Sequence, residues 1–266
     1  MKKRLLWALC GMLILCLCVI GARTLVREPV IIGIIDTGIS SRAIPSRNLL
    51  EGKNYLDPSL TTEDTYGHGT AVASVILDVF PQAQLVPLVS NAYESGKIRQ
   101  VDNDVFAQMI VDAVDVYHCQ IINISVGLIL DKTSIREAVA YAEEKGVLIV
   151  ASAGNDYATD GAFTYYPASY ETVLAVGSIN PERTAISDFS QRGEWVNVYA
   201  VGERVKTRTL SGDTREEKGT SYCAAKLTGQ AGKILSKSSK VLTPEALRQK
   251  LIAKAKSLPD GTKYYT

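Results

Sequence analysis

Histidine is almost missing from this sequence: its 266 residues include two, His68 and His118. Chemistry that uses an imidazole as a base is therefore confined to two positions. Cysteine is sparse as well. Cys10, Cys16 and Cys18 lie inside an apolar run, where they act as small hydrophobes, and only Cys119 and Cys223 remain. No metal-ligand spacing involves those two, so no metal site is expected, and both are read as buried free thiols. An excess of charge of either sign is also lacking. With 29 basic and 28 acidic residues the formal net charge is +1, and the basic footprint of a nucleic-acid-binding protein is absent. No internal repeat or low-complexity tract stands out. What is present is ordinary globular composition, 46% hydrophobic and 21% charged, in a chain long enough for one large α/β domain.

The N-terminus departs from that average. Lys2, Lys3 and Arg4 precede an uncharged run from Leu5 to Ala22. A cleavable signal has an apolar region of about 7–15 residues and a small-residue cleavage site, whereas a spanning helix needs roughly 17–25 apolar residues. The run falls in the second range, and its cleavage position after Val19-Ile20-Gly21 is weak. An uncleaved anchor is favoured over a cleaved, secretory signal. The basic cluster should stay cytoplasmic, which puts the rest of the chain outside, although Arg23 and Arg27 pull against that orientation. The expected division is residues 1–28 as anchor or signal with a short linker, and 29–266 as the folded domain.

Along that domain, apolar runs alternate with helical periodicity. Val30 to Ile35 reads as a strand buried on both faces. Gly69 to Phe80 reads as a helix, Leu85 to Val89 as a strand, and Val105 to Val114 as a helix capped by Asp102 or Asn103. Strands follow at Ile121–Val126, Val147–Ala151, Val173–Gly177 and Trp195–Ala200. Between the first two, Ser134-Ile135-Arg136-Glu137 has the form of a capping box and Gly146 ends a helix. Thr220 to Ser236 is helical, and Thr243-Pro244-Glu245 opens a last helix. This order predicts an α/β fold with a doubly wound, mostly parallel sheet and helices on both faces. In such sheets ligands bind beyond the carboxyl ends of the strands. Asp36, Ser125 and Asn155 stand at such ends.

Three short segments carry candidate chemistry: Ile35-Asp36-Thr37-Gly38, Gly67-His68-Gly69-Thr70 and Gly219-Thr220-Ser221. In this order they resemble the active-site signatures of the subtilisin-like serine peptidases, for which the chain order is Asp, His, Ser. Ser152-Ala153-Gly154-Asn155 resembles that family's oxyanion-hole motif, and Asn123-Ile124-Ser125-Val126-Gly127 its substrate-lining strand. Taken singly each segment has a bland reading as turn, cap or loop. Five in the right order, spanning about Val30 to Leu258, do not. A dinucleotide fold is excluded because the glycines after Gly33 and the ribose-binding acid are misplaced for it.

The resemblance implies a serine endopeptidase with Asp36, His68 and Ser221 as a triad and Asn155 in the oxyanion hole. Peptide or protein substrate would lie against Ser125, Val126, Gly127, Ser152, Ala153 and Gly154, with Tyr165 near the base of the primary specificity pocket and Asp156 at its rim. No cofactor is implied. The residue types suit the chemistry: a serine hydroxyl needs an adjacent base to become a nucleophile, and an acid that orients the imidazole stabilises its protonated form. Four departures from the family pattern stand out. Tyr222-Cys223-Ala224-Ala225 follows Ser221 and crowds it, Lys226 replaces a frequent histidine, residues 23–29 leave no room for a long folding propeptide before the first strand, and the helix after His68 has no inserted calcium loop. These departures leave a catalytically silent, peptide-binding relative as the alternative.

Overall fold

The structure, a computed structural model, describes residues 29–94 and 96–266. The anchor or signal read from Leu5–Ala22 lies outside the described residues. Among those that are described, no helix is long and apolar enough to cross a membrane.

Among the described residues the central sheet contains nine strands: β1 (Ile31–Asp36), β2 (Lys53–Asn54), β3 (Gln84–Val89), β6 (Ile121–Ile124), β7 (Leu148–Ser152), β8 (Leu174–Ile179), β9 (Val198–Val201), β12 (Lys256–Ser257) and β13 (Lys263–Tyr265). Their order is β12-β13-β9-β8-β7-β6-β1-β3-β2, and every neighbouring pair is parallel except β12–β13. The chain leaves β1 towards β3 on one side and later builds β6, β7 and β8 on the other. The winding direction therefore changes between β1 and β6, the position where a ligand crevice is expected.

Apart from the one-turn α4 (Tyr157–Asp160), the helices cover both faces of the sheet, which is why its strands are continuous apolar runs. On one face α1 (His68–Val79), α5 (Thr220–Lys237) and α6 (Pro244–Ala253) bury Val72, Ile76, Leu227 and Leu251 against Ile32, Ile34, Leu148 and Val176. On the other, α2 (Asn103–Asp115) and α3 (Thr133–Glu144) bury Phe106, Met109, Ile110 and Ile135 against Ile35, Leu88, Ile122 and Ile149. Cys119 belongs to the second cluster and Cys223 to the first. The sheet stands between them, both thiols are free, and burial pushes each up to about 12.

Several local signals act as read. Asp102 accepts from the backbone N–H groups of Asp104 and Val105 at the start of α2. Thr243 caps α6, with Pro244 in its first turn. After α3, Gly146 adopts a φ of 84°. Its N–H donates to Glu143 O, and that of Val147 to Ala142 O, so the left-handed cap closes the helix. The capping box at Ser134–Glu137 is not formed. The helix begins two residues earlier than that box requires, at Thr133, and Lys132 caps it without a side-chain bond. Arg136 instead pairs with Asp131, which also accepts from the Tyr170 hydroxyl at 2.8 Å; this pairing anchors the turn in place of Ser134.

The strand predicted over Ile121–Val126 stops at Ile124, and that over Trp195–Ala200 runs instead from Val198 to Val201. Two antiparallel hairpins were not anticipated: β4 (Asn91–Glu94) with β5 (Lys97–Gln100), and β10 (Val205–Arg208) with β11 (Thr214–Glu217).

Candidate active site

Asp36 is the last residue of β1, 1% exposed, and His68 is the first of α1. The imidazole Nδ1 lies 2.8 Å from Asp36 Oδ1 and 3.0 Å from Oδ2. Oδ1 also accepts from the Thr37 N–H at 2.7 Å. The first turn of α1 comes within touching distance of the loop after β1. A Cβ on Gly69 would lie 2.2 Å from Gly38 O, so only glycine lets the histidine's helix seat against Asp36. Burial acts to lower the His68 pKa, but the Asp36 charge and hydrogen bond, with the Asp64 and Glu217 charges behind them, outweigh it and raise it above the ordinary 6.5.

Asp64 is a site residue that the sequence reading missed. It is buried beneath the loop that leads into His68. Its Oδ1 accepts from Thr37 Oγ1, Tyr66 N and Gly67 N at 3.0, 2.9 and 2.8 Å; its Oδ2 accepts from Thr70 N and Thr70 Oγ1 at 2.9 and 2.7 Å. Thr37 Oγ1 in turn accepts from Gly69 N at 2.9 Å. One carboxylate thus ties the loop after β1 to the first turn of α1, and it is a positioning residue for His68. Nothing in the sequence marks it, because its partners are backbone groups and hydroxyls on two separate segments. Asp64→Asn replaces an acceptor with a donor facing N–H groups. We expect it to destabilise the fold by about 1–3 kcal/mol and to lower the His68 pKa by removing a nearby negative charge. Urea unfolding and the pH dependence of turnover measure the two effects separately, and an unchanged pH profile would limit Asp64 to a structural role.

Ser221 is 5% exposed and lies in the first turn of α5, where backbone N–H groups have no intrahelical acceptor. Gly219 precedes it with φ 152° and ψ 155°. The ring of Tyr222 is buried with its centroid 6.0 Å from that of His68, which brings the first turns of α1 and α5 to the same end of the sheet. Ser221 O accepts from Ser125 Oγ at 3.4 Å, and Ser125 Oγ accepts from Asn123 Nδ2 at 3.0 Å. Asn123 Oδ1 accepts from Thr228 Oγ1 at 2.9 Å. This chain of bonds pins α5 to the end of β6.

Asn155 follows β7, and its side-chain orientation is fixed. Its Oδ1 accepts from Thr220 N at 2.9 Å and Thr220 Oγ1 at 3.0 Å, while Thr220 Oγ1 accepts from Gly154 N at 3.1 Å. With the carbonyl oxygen held, Nδ2 is left as a donor with no partner among the described residues.

The residues expected along the substrate cleft divide. Ser125 and Val126 are half-buried and Gly127 is exposed. Among the described residues none of the three makes a backbone–backbone hydrogen bond, although Leu128 pairs on both sides with Tyr166. Ser152 ends β7, and the Ala153 side chain turns away into a core cluster with Ile179, Val196 and Tyr199. The space beside Gly127 and Gly154, two residues expected to lie against substrate, is taken by Tyr165. A Cβ on Gly127 would meet its ring at 2.7 Å and one on Gly154 at 2.6 Å. The Tyr165 hydroxyl donates to Asp156, so this carboxylate is engaged by the protein itself. Burial and that bond push the phenol up to about 12. His118 takes no part; it is exposed beyond α2 with a φ of 52°. Among the described residues no three His, Cys, Asp or Glu side chains gather as metal ligands.

A sequence profile described as the Subtilase family matches residues 27–264. Subtilisin DY of Bacillus licheniformis is 30% identical over 244 residues, which cover 88% of this chain and 86% of the relative. A thermophilic serine proteinase of Bacillus sp. (strain AK1) is 28% identical over 77% of this chain, a match that spans 52% of that protein's length. The crystal structure of a cold-adapted subtilisin-like serine proteinase superposes with a TM-score of 0.77 at 25% identity, covering 88% of this chain and 87% of the other.

Proposed function

The chain belongs to the subtilase family and is a subtilisin-like serine endopeptidase, and from that premise we propose that Asp36, His68 and Ser221 form its triad and that Asn155 completes its oxyanion hole. The observation that carries this reading is the two-oxygen contact of Asp36 on His68 Nδ1, at 2.8 and 3.0 Å. With Nδ1 engaged, Nε2 is the nitrogen left to take the proton of the Ser221 hydroxyl as its oxygen attacks the scissile carbonyl. The Ser221 N–H and Asn155 Nδ2 then hold the oxyanion. Collapse of the tetrahedral species breaks the C–N bond, and the imidazolium returns its proton to the leaving amine. His68 next deprotonates a water that attacks the acyl ester. The second collapse frees the acid and restores the Ser221 hydroxyl.

The unpaired backbone of Ser125 to Gly127 supports an extended peptide docking there as an added strand. The apolar run Leu5–Ala22 supports an anchor in the membrane, with residues 29–266 forming the peptidase outside it.

The base must be neutral to act, so turnover should rise with pH as His68 loses its proton. Because its pKa is raised, the acid limb of kcat/KM for a fluorogenic peptide should lie above pH 6.5, and Asp64→Asn should move it down. An acid limb below that value would contradict the raised His68 pKa, and one that survives in His68→Ala would remove His68 from the mechanism.

A further inference from the structure

Basic residues are concentrated in one stretch of this nearly neutral chain. Lys233, Lys237, Lys240, Arg248, Lys250 and Lys254 fall within residues 230–254 against the single acid Glu245, while the whole chain carries a net +1. Arg248 and Glu245 pair with each other. The five lysines are exposed and form no ion pair among the described residues.

Lys233 and Lys237 on α5 line a cleft of about 520 Å³ together with Lys250 on α6 and Lys254 just beyond its end. Ile234, Leu242 and Ala253 add apolar lining, and no acid lines it. A second hollow, of about 350 Å³, begins at Lys240, Leu242 and the fully exposed Val241 and reaches Val30 and Gly146. Val30 precedes β1 and Gly146 follows α3, so this face is the end of the domain where the strands start. The Ser221 site is at the opposite end, since α5 runs for 18 residues between the two, about 27 Å of helix.

Val30 is also where the chain from the apolar run enters the domain. Residues 23–29 span at most about 25 Å fully extended. An anchored domain must therefore hold its strand-start face close to the bilayer. That face carries the unpaired lysines, with apolar surface between them.

We propose that the cleft between α5 and α6 and the adjoining Lys240–Val241 turn form a docking surface for anionic phospholipid headgroups, which seats the domain with the Ser221 site facing away from the membrane. The inference rests on the anchoring reading above. Lysines near an anionic bilayer are attracted to it, and the attraction is lost beyond a Debye length and in high salt.

The test reconstitutes the full chain in vesicles of phosphatidylcholine alone or with three-tenths phosphatidylglycerol, and maps the acetylation rate of each lysine with an amine-reactive reagent by mass spectrometry. Lys233, Lys237, Lys250 and Lys254 should react at least about fivefold more slowly, relative to exposed Lys206 and Lys218, in anionic vesicles only. The protection should vanish at 0.5 M salt. In a chain carrying Lys233→Gln, Lys237→Gln, Lys250→Gln and Lys254→Gln, Lys240 should lose its own protection. Equal rates in both compositions would overturn the docking surface, as would protection that persists in neutral vesicles or that inorganic phosphate reproduces without vesicles. Carbonate washing of the same vesicles reads the anchor separately. A retained chain without protection removes the docking surface and leaves the anchor; a released chain with lipid-dependent protection does the reverse; a released, unprotected chain removes both.

Discussion

Ser221→Ala is expected to lower kcat for peptide hydrolysis by about 10⁶-fold, the scale known for subtilisin itself, while leaving the fold intact. The hydroxyl is small and sits in the first turn of α5, and the bond that ties this turn to β6 runs through the Ser221 carbonyl, which alanine keeps. Stability should therefore change by no more than ~0.5 kcal/mol. His68→Ala should cost about as much activity as Ser221→Ala, and the double variant little more, because the groups act on one proton transfer. A residual rate of about 10³-fold over water should survive in each, since the donors at Asn155 and the first turn of α5 remain. The comparison is made by active-site-independent protein concentration, urea unfolding and a fluorogenic peptide. Wild-type turnover in Ser221→Ala would show that another group is the nucleophile. Equal inactivity of the wild type and all variants on a broad peptide library would favour a silent peptide-binding relative.

The second large effect concerns the residue before the cut bond. The Tyr165 ring lies between Gly127 and Gly154, within 2.7 Å of where either Cβ would stand, and its hydroxyl is held by Asp156. If the primary pocket lies between the segments that carry these glycines, the ring fills it, and small residues such as alanine should be preferred there. Tyr165→Gly should then raise kcat/KM for a phenylalanine substrate by roughly 100-fold relative to the alanine substrate. Burial of even one methylene is worth a factor of roughly 10–200, and a whole ring would be admitted. Tyr165→Phe separates the ring from its latch. It loses the bond to Asp156 and keeps the filled volume, so it should retain the preference for small residues. A wild-type profile dominated by large aromatics, or a Tyr165→Gly profile identical to wild type, would place the pocket elsewhere.

Much of this arrangement is legible in the residues. Ile31–Asp36 is apolar on both faces, so a buried parallel strand ending in Asp36 follows from the run itself. The α1 and α5 helices follow from periodicity, and the α2 and α6 boundaries from Asp102 and Thr243. Three segments in the order Asp, His, Ser mark the site because the chemistry requires those types together.

What could not be read depends on distant partners. Asp64 is held by groups on both flanking segments, and no local pattern signals that. The hairpin β4–β5 is short and largely exposed, with no core face to impose alternation; β10 does alternate, with Val205 and Thr207 buried, but over four residues beside an exposed β11 the pattern is too short to mark a strand. Ser134–Glu137 has the form of a capping box, but the Asp131–Arg136 pair and Tyr170 start the helix elsewhere. Tyr165 was read at the base of the pocket; that it fills the room beside two glycines depends on the packing of β6, β7 and the segment pairing with Leu128.

The whole mechanism turns on activation of the Ser221 hydroxyl by His68. It is tested most directly by a serine-directed fluorophosphonate probe followed by mapping of the modified peptide. One adduct is expected on Ser221, formed faster as pH rises through the raised His68 pKa, and lost in Ser221→Ala and His68→Ala. An adduct on any other residue, or labelling of Ser221 that proceeds at the same rate in His68→Ala, would contradict it.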